Sequence, residues 1–346
     1  MDPAPRTAVS LFSGGLDSAL AACLVKEQGV RVVAFHLVNA FGRMAADGGA
    51  HPGVRAGAKE AGVELHVENS TEDMIRMVRA PRYGFGKHLN PCIDCRMNTL
   101  LRAEAFRGEI GADFLVSGEV LGQRPMSQNR QALELIDRKT GLGEILLRPL
   151  SARLLAPTKP EREGWVERER LLAIRGRSRT EQLALARRYG LTKYGAPAGG
   201  CLLTDANFCR KLKALMAERP DFTAADIGLL RVGRHFRAPP ASPGALPARI
   251  VSGRDHAENL LLELLAREGG LLFQAAAAPG SLVLLRPAED PAHRQAAAGL
   301  AVYYSKLREE GHGDVEVRSP GQAPGAGAIE RQVLRIEPSS LANLAE

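Results

Sequence analysis

Residues 7–18 read TAVSLFSGGLDS, and this stretch decides the fold of the first half of the chain. An apolar run that suits a buried strand ends at Phe12, two glycines follow, and a helical pattern begins at about Ser18. Glycine lets backbone N–H groups approach a ligand, and a helix start offers unpaired N–H donors and a positive dipole end. The stretch predicts either an anion-binding loop or an ordinary turn in which Asp17 or Ser18 caps the helix.

The rest of the first half repeats this order of strand and helix. Strand-like runs (AVSLF, VRVVAFHLV, ELHVE, ADFLVSGEV) alternate with the helical patterns SALAACLVKEQG and GVRAGAKEAGV. Short apolar runs separated by helices are typical of βαβ units, in which helices cover both faces of a parallel sheet. The sequence therefore predicts an α/β domain with a parallel sheet over residues 1–150.

Three further segments differ in composition. Residues 151–236 are mostly helical and basic, as in WVERERLLAIRGRSRTEQLALARRYG. Residues 237–248, RAPPASPGALPA, are rich in Pro and Ala and indicate a linker. Residues 249–346 predict a small α+β domain, with strands at ARIVSG, GLLFQAA, GSLVLLR and DVEVR and helices over HAENLLLELLARE and HRQAAAGLAVYYSKLREE.

The net charge of +7 is unevenly distributed. Residues 148–219 contain 16 Lys and Arg against 7 Asp and Glu, a net +9. Such a basic block favours a polyanionic partner, and the alternative is a solvated helix face. No apolar run approaches the roughly 18–20 residues of a membrane span, and the N-terminus lacks a signal-peptide layout, so we expect a cytoplasmic protein.

The five cysteines are an odd number in a chain without an export signal, so a disulfide framework is not expected. Cys92 and Cys95 form a Cys-x-x-Cys pair in NPCIDCR, and Cys201 follows two glycines in PAGGCLLT. Three thiolates allow a zinc site with a fourth ligand, a disulfide with a bystander, or a three-cysteine [4Fe–4S] cluster with one open iron. The basic residues near the pair, Arg82, Lys87 and Arg96, are expected to lower the pKa values of its thiols. His88 is the candidate fourth zinc ligand. Cys23 and Cys209 are assigned to packing.

The stretch SLFSGGLDS resembles the pyrophosphate-binding loop of the PP-loop ATP pyrophosphatases. These enzymes have a Rossmann-like fold of the adenine nucleotide alpha-hydrolase type and cleave ATP to AMP and pyrophosphate in order to adenylate a substrate. The resemblance implies that Asp17 contacts both phosphate and Mg²⁺, and that VVAFHLV lines the adenine pocket. The residues implied in ATP binding at this loop are Ser13, Gly14, Gly15, Asp17 and Ser18.

Five further motifs occur in order and together resemble the sulfur-inserting branch of that family, which includes the tRNA 2-thiouridine and 4-thiouridine synthases. They are GKHLNPCIDCR, LVSGEVLGQRPMSQ, LRPLSARLLAPT, GRSRTEQ and PAGGCLLT, and the resemblance covers about residues 6–235. It implies a [4Fe–4S] cluster on Cys92, Cys95 and Cys201, as in some members, or a redox pair with a cysteine persulfide, as in others. No THUMP-like RNA-binding domain is recognised ahead of the loop, which departs from the 4-thiouridine synthetases.

The C-terminal segment resembles the NFACT-R RNA-binding domain. The resemblance rests on a Gly-Arg…Glu-Asn start, a Pro-Gly-Ser turn and a Tyr-Ser-Lys helix. Phe273 and Gln274 stand where that family commonly has an aromatic residue and a His. The matching positions are Gly253, Arg254, Glu258, Asn259, Pro279, Gly280, Ser281, Tyr304, Ser305 and Lys306.

These resemblances together imply an ATP-dependent tRNA sulfurtransferase. A uridine carbonyl oxygen would attack the α-phosphate of ATP, pyrophosphate would leave, and sulfur would then displace AMP. Because ligands bind at the carboxyl ends of parallel strands, Cys92, Cys95 and Cys201 are expected near Gly14. Candidate nucleotide or base contacts after a later strand are Gly118, Glu119, Gln123, Arg124 and Ser127, and candidate RNA-phosphate contacts are Arg175, Arg177 and Arg179.

Two other classes fit part of the sequence. One is a PP-loop enzyme that amidates, or delivers sulfur to, a small molecule, and the other is a non-catalytic RNA-binding protein that senses nucleotide. The sequence leaves open the modified uridine and its position, and whether the chain forms a homodimer. It also leaves open the sulfur donor, which is either a cysteine desulfurase product or inorganic sulfide.

Overall fold

The apolar run ahead of the glycines is the central strand of a parallel sheet in the computed structural model. The strands are β1 (Thr7–Leu11), β2 (Arg31–Val38), β3 (Glu64–Asn69), β4 (Phe114–Ser117) and β5 (Leu146–Leu147). Their order is β3-β2-β1-β4-β5, and every neighbouring pair is parallel. The predicted α/β fold is therefore confirmed. The structure describes residues 5–45, 48–195, 201–238, 247–266, 269–288 and 290–343.

Helices cover both faces of this sheet because successive strand residues point to opposite sides. On one face, Ala8 packs with Ala21 of the first helix. On the other face, Val9 packs with Leu100 and Phe106 of the fourth helix. The helices of this unit are α1 (Leu16–Lys26), α2 (Pro52–Ala61), α3 (Thr71–Arg79), α4 (Cys92–Glu109), α5 (Arg130–Thr140), α6 (Lys159–Arg162) and α7 (Thr180–Tyr189).

The helix predicted over residues 165–190 is wrong in its first part. Only a short 3-10 turn forms before α7 begins at Thr180. The backbone of this part is used elsewhere, because the amide of Ile174 donates to the carbonyl of Leu150 and that of Gly176 donates to Leu121. These bonds join the segment to the loops that follow β4 and β5, so it cannot also form helical hydrogen bonds.

The elements of the second unit are α8 (Ala206–Glu218), α9 (Ala224–Leu230), β6 (Arg234–Ala238), β7 (Ala248–Ser252), α10 (His256–Leu265), β8 (Leu271–Ala275), β9 (Val283–Arg286), α11 (Pro291–Tyr303), β10 (His312–Arg318), β11 (Ala328–Leu334) and β12 (Ala342–Asn343). The strands form an antiparallel sheet in the order β11-β10-β8-β9-β7-β6-β12. The strands and helices that the sequence predicted here are confirmed, and β6, β11 and the two-residue β12 are additional. Neither β6 nor β11 has a simple alternation of apolar and polar residues, and β11 is largely exposed along its length.

The contacts of the backbone divide the chain after Thr204, so that the second unit begins at Asp205. The middle of the predicted linker, residues 239–246, lies outside the described residues. The strands on either side of it, β6 and β7, are antiparallel neighbours in one sheet. The finer boundaries at residues 150, 236 and 248 remain predictions. Among the residues that the structure describes, no helix is long and apolar enough to cross a membrane.

Candidate active site

The glycine loop turns directly from β1 into α1. Gly14 has a φ of +75°, and a Cβ on it would lie 2.7 Å from Cγ2 of Val54. Helix α1 begins at Leu16, earlier than predicted, with Gly15 as its N-cap and no side-chain cap. Neither Asp17 nor Ser18 therefore caps the helix, and the alternative of an ordinary capped turn is wrong. The Ser18 hydroxyl donates instead to the carbonyl of Gly15 at 2.8 Å.

Asp17 carries a buried oxygen that receives no hydrogen bond from the residues that the structure describes. Its Oδ2 accepts from Nε2 of Gln123 at 2.7 Å and lies 3.6 Å from an Nη2 of Arg179. Its Oδ1 is buried, and no described residue donates to it. A buried carboxylate oxygen without a partner is costly, so the arrangement suits a ligand or cation that completes it.

Gln182, which the sequence analysis did not single out, contacts Gln123, the hydrogen-bond donor to Asp17. Its side chain is fully buried, and its Nε2 lies 3.5 Å from Oε1 of Gln123. It belongs to the motif GRSRTEQ, whose presence in the sequence was the available signal. The same motif supplies Arg179, which lies beside Asp17, and its predicted contact with RNA phosphate stays a prediction. Arg175 and Arg177 are exposed, so their predicted contact with RNA stays open.

Gly118 lies at the end of β4 against the first turn of α1. A Cβ at this position would come within 2.6 Å of the carbonyl carbon and oxygen of Asp17 and of the amide nitrogen of Ser18. Only glycine lets the helix start approach the strand end this closely. Gly118 therefore has a packing role, and its predicted nucleotide contact remains a prediction.

Glu119 connects this strand end to the helix that carries the cysteine pair. Its carboxylate lies 2.7 Å from Nε of Arg96 on α4 and 2.9 Å from Nε of Arg148, and it accepts from Oγ of Ser117 at 3.0 Å. Arg148 also binds Asp137 through both terminal nitrogens. Burial raises the pKa of Glu119, but the two arginines outweigh it and lower the pKa to about 2. Glu119, predicted as a nucleotide contact, is thus a buried charge within an ion-pair network.

Cys92 and Cys95 occupy the first turn of α4 and are reduced and partly buried. Burial raises the pKa of the Cys95 thiol to about 11, although Arg96 acts in the opposite direction. Burial also raises the pKa of Cys92, against the lowering effect of Arg124. The prediction that Arg82, Lys87 and Arg96 lower the thiol pKa values is wrong, because the loss of water outweighs the nearby charge. Cys23 and Cys209 are buried in helices, as expected for packing.

The segment after Cys201 is hydrogen-bonded to two parts of the same unit. The amide of Leu202 donates to the carbonyl of Phe41, just after β2, at 2.8 Å. Leu89, which lies three residues before Cys92, donates through its amide to the carbonyl of Leu203 at 3.2 Å. The glycine turn before Cys201 lies outside the described residues. In the described part of the chain, no three His, Cys, Asp or Glu side chains meet as a metal site, so the zinc, Mg²⁺ and [4Fe–4S] sites stay predictions.

The predicted adenine site along β2 also stays a prediction. Within this strand the imidazole of His36 is buried, and its Nδ1 lies 2.7 Å from the carbonyl oxygen of Phe12. Burial lowers the pKa of His36, which favours the neutral ring and a donor at Nδ1. His36 therefore holds the chain where it leaves β1. Ser127 is half-buried in the turn after β4, and Arg124 is exposed there.

In the second unit, the residues of the Gly-Arg…Glu-Asn and Pro-Gly-Ser motifs hold two segments together. Asn259 donates through Nδ2 to the carbonyl of Gly280 at 3.2 Å, and its Oδ1 accepts from the amide of Leu282 at 3.0 Å. The hydroxyl of Ser281 donates to the carbonyl of Gly253 at 2.7 Å. These side chains supply hydrogen bonds to backbone groups that lie outside the helices and strands.

The Tyr-Ser-Lys motif joins the same turn from the other side. A Cβ on Gly280 would lie 2.7 Å from Cβ of Ser305, and the amide of Lys306 donates to the carbonyl of Pro279 at 3.2 Å. The guanidinium of Arg234 stacks over the ring of Tyr304, 4.6 Å from its centre. The three motifs thus meet at one turn. Of the two departures, Phe273 is fully buried and Gln274 is half-buried opposite Glu316.

Two models of known protein families match different regions of the chain. Residues 4–153 match the family model "Thiamine biosynthesis protein (ThiI)", and residues 233–332 match the model "NFACT protein RNA binding domain". The tRNA-specific 2-thiouridylase MnmA of Proteus mirabilis (strain HI4320) is 27% identical over 148 residues, which are 39% of this chain and 40% of that protein. The chain therefore spans less than half the length of this relative.

Two solved structures are distantly similar. A 4-thiouridine synthetase–RNA complex with bound ATP shares 21% identity at a TM-score of 0.35, over 54% of this chain and 52% of that one. The C-terminal part of the fibronectin/fibrinogen-binding protein from Streptococcus suis shares 16% identity at a TM-score of 0.25, over 72% of this chain and 98% of that one. The predicted resemblances are confirmed by the family models: the N-terminal segment is similar to the ThiI family, and the C-terminal segment is similar to the NFACT RNA-binding domain.

Proposed function

We propose that this protein is an ATP-dependent tRNA sulfurtransferase, which adenylates a uridine carbonyl and replaces its oxygen with sulfur. The observation that carries the proposal is the buried Oδ1 of Asp17, to which no described residue donates, in the first turn of α1 at the glycine loop. The similarity of residues 4–153 to the ThiI family and the 2-thiouridylase match over part of the chain support it.

In the proposed reaction, the phosphates of ATP lie on the backbone N–H groups of the loop, where a helix start favours an anion. Asp17 would contact Mg²⁺ through Oδ1, while Gln123 and Arg179 hold its Oδ2. The uridine carbonyl oxygen attacks the α-phosphorus, and the bond to pyrophosphate breaks. Sulfur then attacks the activated carbon, and the original oxygen leaves with AMP.

The sulfur is proposed to be held at Cys92, Cys95 and Cys201, as a [4Fe–4S] cluster or as a persulfide. Metal or cluster binding needs thiolates. It would therefore displace the thiol protons of Cys92 and Cys95, whose pKa values are raised. Cys92 and Cys95 lie in one helical turn, and the hydrogen bond between Leu89 and Leu203 links the segment after Cys201 to the chain just before Cys92. No reaction step is derived through the cluster.

The proposed partner is tRNA. The basic block of residues 148–219 supports contact with phosphate, and so does the similarity of residues 233–332 to an RNA-binding domain. A cysteine desulfurase product would restore the outer sulfur of a persulfide, and sulfide would restore the sulfur carried on a cluster. We propose that the protein works in the cytoplasm, and a homodimer is compatible with this function.

The test has two arms. Mass spectrometry is expected to show that the tRNA nucleosides of a deletion strain lack one thiolated base. The wild-type gene is expected to restore this base, and the Cys201→Ala variant is expected not to restore it. Cys209→Ala is the matched control, because Cys209 is buried in α8, and it is expected to restore the base. With purified protein, tRNA-dependent pyrophosphate release is expected to be lost in Asp17→Asn.

Each rival function gives a different result. Pyrophosphate release without any change in tRNA nucleosides would indicate a PP-loop enzyme with a small-molecule substrate. Binding of tRNA without pyrophosphate release would indicate a nucleotide-sensing RNA-binding protein. Thiolation that survives Cys201→Ala would refute the proposed role of the three cysteines.

A further inference from the structure

A cavity of about 350 Å³ lies within the second unit, between helices α8 and α9 and strands β7 and β9. Its volume falls in the range of about 300–1,000 Å³ that is typical of small-ligand pockets. None of the described residues that line it belongs to the first unit, which contains Asp17, Cys92, Cys95 and Cys201. The apolar side chains that line it are Leu215, Leu229, Leu230, Val251 and Leu284, together with two prolines.

Five of the six charged residues that line this cavity lie in ion pairs, and the sixth is Asp221. Glu218 lies 3.0 Å from Arg249 and 3.0 Å from Arg237. Asp226 lies 3.1 Å from Arg219 and 3.5 Å from Nη1 of Arg286 at the end of β9. The lining holds as many acidic as basic side chains, so a phosphate would gain little there. The cavity suits a neutral, largely apolar group.

One buried hydrogen-bond donor of the lining has no partner within the described part of the chain. The Nη1 of Arg249 is buried and has no acceptor among the described residues, whereas its Nη2 binds Glu218. The side chain of Arg249 is only 11% exposed, so water reaches it poorly. A buried donor without an acceptor is costly. The ligand that best completes this cavity is therefore mostly apolar and carries an acceptor atom.

We propose that the cavity binds one unstacked nucleobase of an RNA. A base combines an apolar face with carbonyl and ring-nitrogen acceptors, and proteins recognise unpaired bases by enclosing them and by placing guanidinium groups against them. Arg219 and Arg237 are 39% and 44% exposed, so they can meet the neighbouring phosphates. Strands β7 and β9 lie within residues 233–332, which match the RNA-binding model. The inference rests on the proposed RNA-binding function but not on the chemistry of the first unit.

The test uses the full-length protein and calorimetric titration with cytidine and guanosine. Adenosine and uridine are avoided, because they resemble the proposed ligands of the first unit. Saturable binding of either nucleoside is expected, and none is expected of ribose. Arg249→Lys keeps a positive charge beside Glu218 but removes Nη1, so it is expected to weaken nucleoside binding about tenfold.

A second variant fills the cavity. Leu229→Trp is expected to abolish nucleoside binding and to weaken tRNA binding about tenfold in gel shift, as for the loss of one enclosed base. Leu260→Trp, the same change on the surface of α10, where Leu260 is 56% exposed, is expected to change neither. Circular dichroism checks the fold of both, and if Leu229→Trp is unfolded, Arg249→Lys decides.

Two results would overturn the inference. Binding of indole or phenol without binding of nucleosides would identify the cavity as a site for an apolar side chain of a protein partner. Nucleoside binding that is unchanged in both Arg249→Lys and Leu229→Trp would place the base elsewhere. Failure of the proposed function differs from failure of this inference. In the first case thiolation and pyrophosphate release would be absent, while nucleoside binding at this cavity would persist.

Discussion

Replacing Glu119 by Gln is expected to destabilise the first unit by about 3 kcal/mol at pH 7. The carboxylate is buried between Arg96 and Arg148, and its pKa is lowered from 4.5 to about 2, which corresponds to about 3 kcal/mol of stability from its ionised form. Removing one partner of a buried ion pair costs a similar amount, since the remaining charges lose their counter-ion.

The sign of the pH dependence follows from the lowered pKa. The stabilisation is complete above the unfolded value near 4.5 and is lost as the pH falls toward about 2 in the folded state. The difference in stability between the wild type and Glu119→Gln is therefore expected to shrink between pH 5 and pH 2. Residue 119 becomes neutral in both proteins only below the folded pKa of about 2, so the shrinking is still incomplete at pH 2.

The assay is urea unfolding followed by tryptophan fluorescence. Trp165 is the chain's one tryptophan and packs in the core of the first unit, so it reports this unit alone. The matched control is Glu64→Gln, which removes an exposed pair with Arg31 and is expected to cost under about 0.5 kcal/mol. A loss below about 1 kcal/mol for Glu119→Gln, or a difference that does not shrink at low pH, would refute the reasoning.

Three more predictions follow from contacts described above. Gly118→Ala is expected to cost at least about 2 kcal/mol in the same assay because its Cβ would meet the backbone of α1, whereas Gly108→Ala, with open space around its Cβ, is expected to cost nothing. Cys95, with a pKa of about 11, is expected to react with iodoacetamide at pH 7 about 100 times more slowly than a free thiol, and equal rates would contradict its burial. Asn259→Ala is expected to lower the midpoint of thermal unfolding of the second unit through a loss of about 1–3 kcal/mol, which calorimetry would measure.

The sequence predicted the parallel sheet and the loop because both depend on local signals. Alternating strand and helix patterns, and two glycines between them, are visible without any knowledge of long-range contacts. The segment before Thr180 was misjudged because its backbone bonds go to Leu121 and Leu150, distant in the sequence. Strand β11 escaped notice because an exposed edge strand needs no apolar alternation.

The site was predicted less completely than the fold. The motifs identified Asp17 and the cysteines, but sequence does not reveal which polar side chains are buried. The fully buried Gln182 and the contact of Arg179 with Asp17 were missed for this reason. The thiol pKa values were predicted in the wrong direction because nearby charges can be counted in a sequence, whereas the loss of water around Cys95 cannot.

Gly118 and Glu119 are consecutive residues with contacts on opposite sides: the first touches the turn at Asp17, and the second binds Arg96, next to Cys95. Two adjacent residues thus connect the proposed site of ATP to the helix that carries the proposed site of sulfur. Since reacting groups tolerate errors of only about 1 Å, a single residue inserted between Gly118 and Glu119 is expected to disturb the spacing of the two proposed sites.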